Sequence, residues 1–251
     1  AFFAAVAAIL ATPGGDRFGV RAPLSAWLSC TARLGGEVGV RLRRLGVPMS
    51  LAQGVESSAF ATVVFLAGSI GAAAAAAHQT TMTLVILVFM AAIGFGGAAA
   101  IRVSAAVGRR APVDVRRAGF TAIALAALVS LPFSALYFFV PETMVRLVTD
   151  DPAVVAVATV TLSFVALFLV FDAANGVTAG ALRGLGDVWL PLYIQAAAFW
   201  LVAVPIAWWI GLVQGGGPFG LIVGIALGMV ASALLLIWRF RTVARRPLRP
   251  T

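Results

Sequence analysis

The sequence predicts an all-α, polytopic integral membrane protein, a bundle of six transmembrane helices. Three observations carry that prediction. The hydrophobic fraction is 62% and only 11% of residues are charged, against an apolar content of about 45–50% in soluble domains. Apolar runs of about 20 residues, the length a bilayer requires, recur from Val47 to Trp238. The basic residues, all arginine, punctuate those runs and fall almost entirely on one side of them. Helix is the expected state, because hydrocarbon cannot satisfy an open backbone.

Residues 1–11 are apolar but too short to span, and no basic stretch precedes them as a signal peptide requires. They are expected to be the truncated end of a preceding transmembrane helix, in a carboxy-terminal fragment of a longer, transporter-sized protein. Residues 12–46, with Arg17, Arg21, Arg33, Arg41, Arg43 and Arg44, are expected to form a basic cytoplasmic linker. Within it, 38–45 reads either as a short amphipathic helix on the membrane surface or as a solvated linker. The six spans are predicted at 47–71, 79–101, 118–140, 153–180, 188–212 and 218–238, together a transmembrane lobe over 47–238. Residues 239–251 are expected to be a basic cytoplasmic tail. The short connections favour antiparallel neighbours.

With the linker inside, every arginine but one falls on the cytoplasmic side. Arg146 alone falls outside, beside Glu142, Asp150 and Asp151. This is the positive-inside asymmetry, and it places both ends of the chain in the cytoplasm. Trp189 and Trp238 fall at inner boundaries and Trp208 and Trp209 near an outer one, where indoles prefer to sit. Pro132 and Pro205 lie within spans and are expected to kink them. The lack of lysine, with abundant Ala, Gly and Val, points to a GC-rich bacterial gene and hence to a bacterial inner membrane.

Several function classes fall away. The net charge of +9 marks topology rather than a nucleic-acid surface, since the arginines do not cluster as a folded basic face. Cys30 is the one cysteine, so neither an intrachain disulfide nor a zinc motif can form. Phe171-Asp172 and Gly184-Leu185-Gly186-Asp187 imitate an intramembrane aspartyl protease, but such acids must share a proton. Fifteen residues of helix would hold these two about 22 Å apart, and Arg183 with Asp187 reads better as a local i,i+4 ion pair. His78 is expected to be an interfacial structural residue at the start of the second span. Gly94-Phe95-Gly96-Gly97 reads as close helix packing.

The chemistry sits in two carboxylates within spans. Glu56 lies nine residues in from Val47, roughly 14 Å deep, and Asp172 eight residues from Gly180, roughly 12 Å deep. A carboxylate at the bilayer centre costs about 2.5–3.5 kcal/mol, and no arginine shares their depth. They must therefore carry protons or hold a cation, and Na⁺ is a possible ligand of both. Gln53, Glu56, Ser57 and Phe60 follow three-and-four spacing on one helix face, as do Phe168, Asp172 and Asn175 on another. Their oxygen atoms suit a hard cation and their phenyl faces an organic one.

Leu45-Gly46-Val47-Pro48, Glu56-Ser57-Ser58-Ala59-Phe60, Ala76-Ala77-His78-Gln79, Ile101-Arg102-Val103, the run Ala179-Gly180-Ala181-Leu182-Arg183-Gly184-Leu185-Gly186-Asp187, and Val204-Pro205 occur in that order. Over about residues 40 to 240 the chain resembles the carboxy-terminal half of the multidrug and toxic compound extrusion (MATE) transporters. The resemblance implies a two-lobe transporter of twelve spans, with a second, amino-terminal six-helix lobe as partner. It implies antiport of small organic cations out of the cell against Na⁺ or H⁺ as coupling ion, with no other cofactor. Glu56 and Asp172 match that family's carboxy-lobe cation-site acids. The competing reading is a related flippase for lipid-linked oligosaccharides or other anionic lipids, which would favour arginines within the spans. A membrane scaffold would leave the two acids without a role, and an enzyme would lack a workable nucleophile, acid pair or metal cluster.

Overall fold

The computed structural model describes residues 37–245. Every regular element among the described residues is helical: α1 (Glu37–Ile70), α2 (Ala72–Gly108), α3 (Pro112–Phe139), α4 (Pro141–Arg146), α5 (Pro152–Ala166), α6 (Leu169–Gly184), α7 (Trp189–Val213) and α8 (Gly217–Val243). Five helices are long and apolar enough to cross a membrane. The pair α5 and α6, bent by 55°, makes a sixth crossing if taken together. The expected truncated helix at 1–11, most of the linker and the end of the tail lie outside the described residues.

Three spans begin six or more residues before their expected starts, two of them for evident local reasons. Residues 38–45 are helical, within α1. Helix α2 begins at Ala72 rather than at 79, because the alanine run 72–77 is the best helix-forming sequence available. One residue, Gly71, then separates α1 from α2, and its φ of 151° is a conformation that side chains disfavour. Pro112 opens α3 six residues early, at a position where its missing N–H is no loss.

The break in the fourth crossing was not foreseen. At Leu167 and Phe168 the backbone tightens, with Leu167 N–H donating to Phe164 O and Phe168 N–H to Val165 O at 3.2 and 2.8 Å. Ser134 Oγ, from α3, donates to the Ala166 carbonyl at 2.5 Å on the edge of this turn. Pro132 sits inside α3, and Pro205 lies in a short α-helical stretch of α7, between π-helical turns over Ala198–Ala203 and Trp209–Val213. Wide turns of this kind are one way a helix absorbs a proline.

Glycine stripes set the closest crossings. A Cβ at Gly180 would lie 2.7 Å from the Gly96 carbonyl carbon, one at Gly184 2.6 Å from Ala100 O, and one at Gly96 3.1 Å from Gly176 O. Gly176, Gly180 and Gly184 therefore bring α6 into backbone contact with α2, the small-residue spacing that membrane helices use. Gly220, Gly224 and Gly228 repeat the device between α8 and α7, where a Cβ on Gly220 would sit 2.7 Å from Gly211 Cα and one on Gly224 2.6 Å from Ala203 O. The reading of Gly94–Gly97 as a packing motif holds for Gly96, while Gly94 and Gly97 face open space.

Two larger cores flank these crossings. One packs Val103, Val115, Leu182 and Phe240 from α2, α3, α6 and α8. The other packs Leu84, Tyr137, Val145 and Leu162 from α2 to α5. Tyr137 Oη donates to Leu84 O at 3.0 Å, and the Thr81 and Thr161 hydroxyls meet at 2.9 Å, so both polar pairs are satisfied in apolar surroundings. The expected Arg183–Asp187 pair does not form. Helix α6 ends at Gly184, and the chain turns through Gly186 at φ 76°, so the two residues no longer share a helix face. Asp187 instead accepts from Arg239 of α8 at 2.7 Å, and Arg183 Nε donates to Ala179 O at 3.3 Å.

Candidate functional site

A cavity of about 410 Å³ opens between α1, α2, the α5–α6 break and α8. Helix α1 contributes Gln53, Glu56, Ser57, Phe60 and Val64, the i, i+3, i+4, i+7 stripe of one helical face. On the opposite wall the tight turn at Leu167–Phe168 restarts the helix, so that Phe168 and Asp172 enter the same cavity one turn apart. Six of the seven candidate residues read from the sequence thus converge. Asn175 does not line the cavity. It is 2% exposed, and its Oδ1 accepts from Ser232 Oγ of α8 at 2.7 Å, a buried tie between α6 and α8.

The two acids differ in setting. Glu56 lies near the middle of the crossing Arg43–Ile70, about 20 Å from either end, and is partly exposed. Asp172 is 3% exposed, and its Oδ1 has no hydrogen-bond partner among the described residues. A buried carboxylate oxygen without a partner is costly, and a proton or a cation in the cavity would remove that cost. Among the described residues no arginine lines the cavity. Among the described residues no three His, Cys, Asp or Glu side chains converge as a metal site.

Sequence reasoning missed His78. It is 1% exposed, lines the cavity, and neither ring nitrogen has a partner among the described residues. The early start of α2 places it nearly two turns inside the helix, not at an interfacial end. Below it Met82, Ile86, Phe89 and Met90 line the same wall, and Ile222, Ile225 and Met229 of α8 close the cavity opposite. The signal was present as a three-and-four-spaced stripe from His78 to Met90. Phenyl rings and thioethers form an adaptable apolar lining, and the rings attract cations. Phe60 also packs on Phe199 at 5.8 Å and Phe168 on Phe164 at 5.0 Å, which restrains both rings.

The model of the MatE family matches residues 48–209. The chain belongs to the MatE family. Its curated relatives include the probable multidrug resistance protein NorM of Rhodopseudomonas palustris, 36% identical over 217 residues that make up 85% of this chain and 46% of the relative. The protein of the same name from Xanthomonas campestris is 35% identical, over 82% of this chain and 45% of its own length. The chain spans about half the length of the curated relatives it matches, and corresponds to the carboxy-terminal half of the family.

The fold agrees. A crystal structure of MATE in the straight conformation superposes with a TM-score of 0.76 at 21% identity, over 81% of this chain and 46% of that one. An outward-facing multidrug resistance MATE family transporter gives 0.76 at 20% identity, over 83% and 47%. These relatives are transporters rather than enzymes, and this MatE chain is a multi-pass membrane protein. Residues 48–209 include α2 to α6 and every acid of the cavity, whereas the α8 wall lies beyond the matched stretch.

Proposed function

We propose that the protein is a secondary active antiporter that exports organic cations or drugs in exchange for Na⁺ or H⁺, with this chain supplying its carboxy-terminal lobe. One observation carries the reading: intramembrane carboxylates on two helices, Glu56 and Asp172, open into one largely apolar cavity that no arginine lines among the described residues. Aromatic and thioether walls at Phe60, Phe89, Phe168 and Met82 accept varied organic surfaces, while the acids select for positive charge. If coupling ion and substrate neutralise the same carboxylates, each displaces the other, and exchange follows from competition. Intramembrane acids are otherwise expensive to keep.

The coupling ion is cargo, held by Glu56 and Asp172 with hydroxyl or amide oxygens from Ser57 and Gln53 beside them. The arginine asymmetry supports placing both ends of the chain in the cytoplasm, and the lysine-free composition rich in Ala, Gly and Val supports a bacterial inner membrane. The partner is an amino-terminal six-helix lobe that completes the translocation path.

The test follows export of a fluorescent organic cation of the ethidium type from liposomes or efflux-deficient cells under an imposed Na⁺ or proton gradient. Export driven by one gradient, and abolished by Asp172→Asn and by Glu56→Gln in protein that still inserts, is the expected result. Undiminished export by both variants would remove the acids from the mechanism. Movement of an anionic lipid instead of the cation would favour the flippase reading.

A further inference from the structure

A second cleft, about 620 Å³, lies between α2 and α3 at the end of the bundle where both helices meet the loop 109–111. Arg102 lines it from α2, Arg109 from the loop, and Asp114 and Arg117 from α3. Arg109 is engaged with Asp114 at 3.6 Å, while Arg102 and Arg117 form no salt bridge among the described residues. Arg102 lies six residues before the end of α2, about 9 Å along its axis, and Arg117 five residues after the start of α3, about 8 Å along its own. Two unpaired guanidinium groups therefore face one cleft at matched depth from opposite walls.

Apart from Thr121, the rest of the cleft is apolar. Small residues, among them Ala98, Ala99 and Ala122, leave the space open, and Phe95 and Leu125 line it further into the membrane. A site with cations at the headgroup level and an apolar slot below has the polarity profile of a phospholipid. Charge complementarity settles its class: a zwitterionic headgroup would offer the arginines no net charge, and a soluble anion would leave the apolar slot unused.

From this geometry we infer that the α2–α3 cleft is a binding site for an anionic phospholipid, its phosphate bridged by Arg102 and Arg117 and one acyl chain lying on Phe95 and Leu125. Guanidinium groups bind phosphate through paired, charge-assisted hydrogen bonds, and basic pockets between transmembrane helices hold anionic headgroups in this way. The bound lipid would cover two otherwise unpaired arginines and join α2, which lines the transport cavity, to α3.

The experiment uses purified, delipidated protein titrated with phosphatidylglycerol, phosphatidylcholine of the same chain length, or inorganic phosphate. Bound lipid is read by native mass spectrometry and the unfolding temperature is read in parallel. Phosphatidylglycerol is expected to bind and stabilise where the other two do not, and Arg102→Gln combined with Arg117→Gln should weaken it about thirtyfold. Arg110→Gln, outside the cleft, should leave it unchanged. Because the double variant can fail to fold, Leu125→Trp provides a second reading, filling the slot while sparing both arginines, and should also weaken the lipid. Equal binding of phosphatidylcholine, equal stabilisation by inorganic phosphate, or full affinity in either variant would overturn the site.

Discussion

Gly180 and Gly97 are both glycines of the α2–α6 region, yet alanine at the two positions should act in opposite directions. At Gly180 a methyl carbon would lie 2.7 Å from the Gly96 carbonyl carbon and 2.8 Å from Gly96 Cα, where carbon atoms prefer about 3.5–4.0 Å. Neither neighbour is the tip of a flexible side chain, so the helices themselves must part by about 1 Å. Overpacking of this kind costs about 1–3 kcal/mol. At Gly97 a methyl meets nothing within 4 Å, and alanine in a helix interior gains up to about 1 kcal/mol over glycine. The assay is the thermal unfolding midpoint of purified protein, where 1 kcal/mol corresponds to roughly 2–4 °C for a unit of this size. Gly180→Ala should lower the midpoint by about 5 °C, and Gly97→Ala should hold or raise it. Equal midpoints for wild type and Gly180→Ala would show that the two backbones do not touch, and would refute the glycine-locked crossing.

Three further predictions rest on single contacts. Asp187→Asn should destabilise by about 1–2 kcal/mol, because it strips the charge partner from Arg239 in a pair only 17–19% exposed; Arg183→Gln should do much less, and the reverse order in chemical unfolding would restore the sequence-local pair. His78→Phe should hold or raise the unfolding temperature, since among the described residues neither buried ring nitrogen has a partner to lose; a clear drop would mean the imidazole is hydrogen-bonded in solution. Thr161→Val should cost about 0.6 kcal/mol, and a double-mutant cycle with Thr81→Val should assign it to the 2.9 Å hydroxyl contact, with zero coupling as the contrary result.

The sequence made the crossings legible because bilayer thickness imposes a length and a polarity that no other constraint overrides. The acids were legible for the same reason: a carboxylate deep in an apolar run has few explanations. What escaped was local backbone geometry. Nothing in Ala166-Leu167-Phe168-Leu169 is a helix breaker, and the Ala166 carbonyl at the edge of the break accepts from Ser134, a partner thirty-two residues away that no local pattern reveals. His78 escapes because the alanine run before it falls between the two expected spans, although a run of alanines is a helix start. Asn175 was read by spacing alone onto the cavity face, and Ser232, a tertiary partner invisible to periodicity, holds it elsewhere.

The two acids stand on elements held in different ways. Asp172 belongs to α6, whose glycines bring its backbone against α2 at Gly96 and Ala100, and whose Asn175 is tied to α8. Glu56 belongs to α1, which is held through smaller groups: Ala59 against Phe199 and Ala203, Val63 and Ala67 against Ala207, Leu221 and Ile225, and one Trp200 Nε1 bond to Val55 O at 3.3 Å. A backbone-to-backbone lock resists sliding because any shift drives carbonyl oxygens into Cα atoms. Methyl and isopropyl contacts allow small sliding of packed helices, the shear motion by which domains close around ligands. The asymmetry therefore lies between the walls of the cavity, with the fixed carboxylate on the α6 side and the more lightly held one on α1.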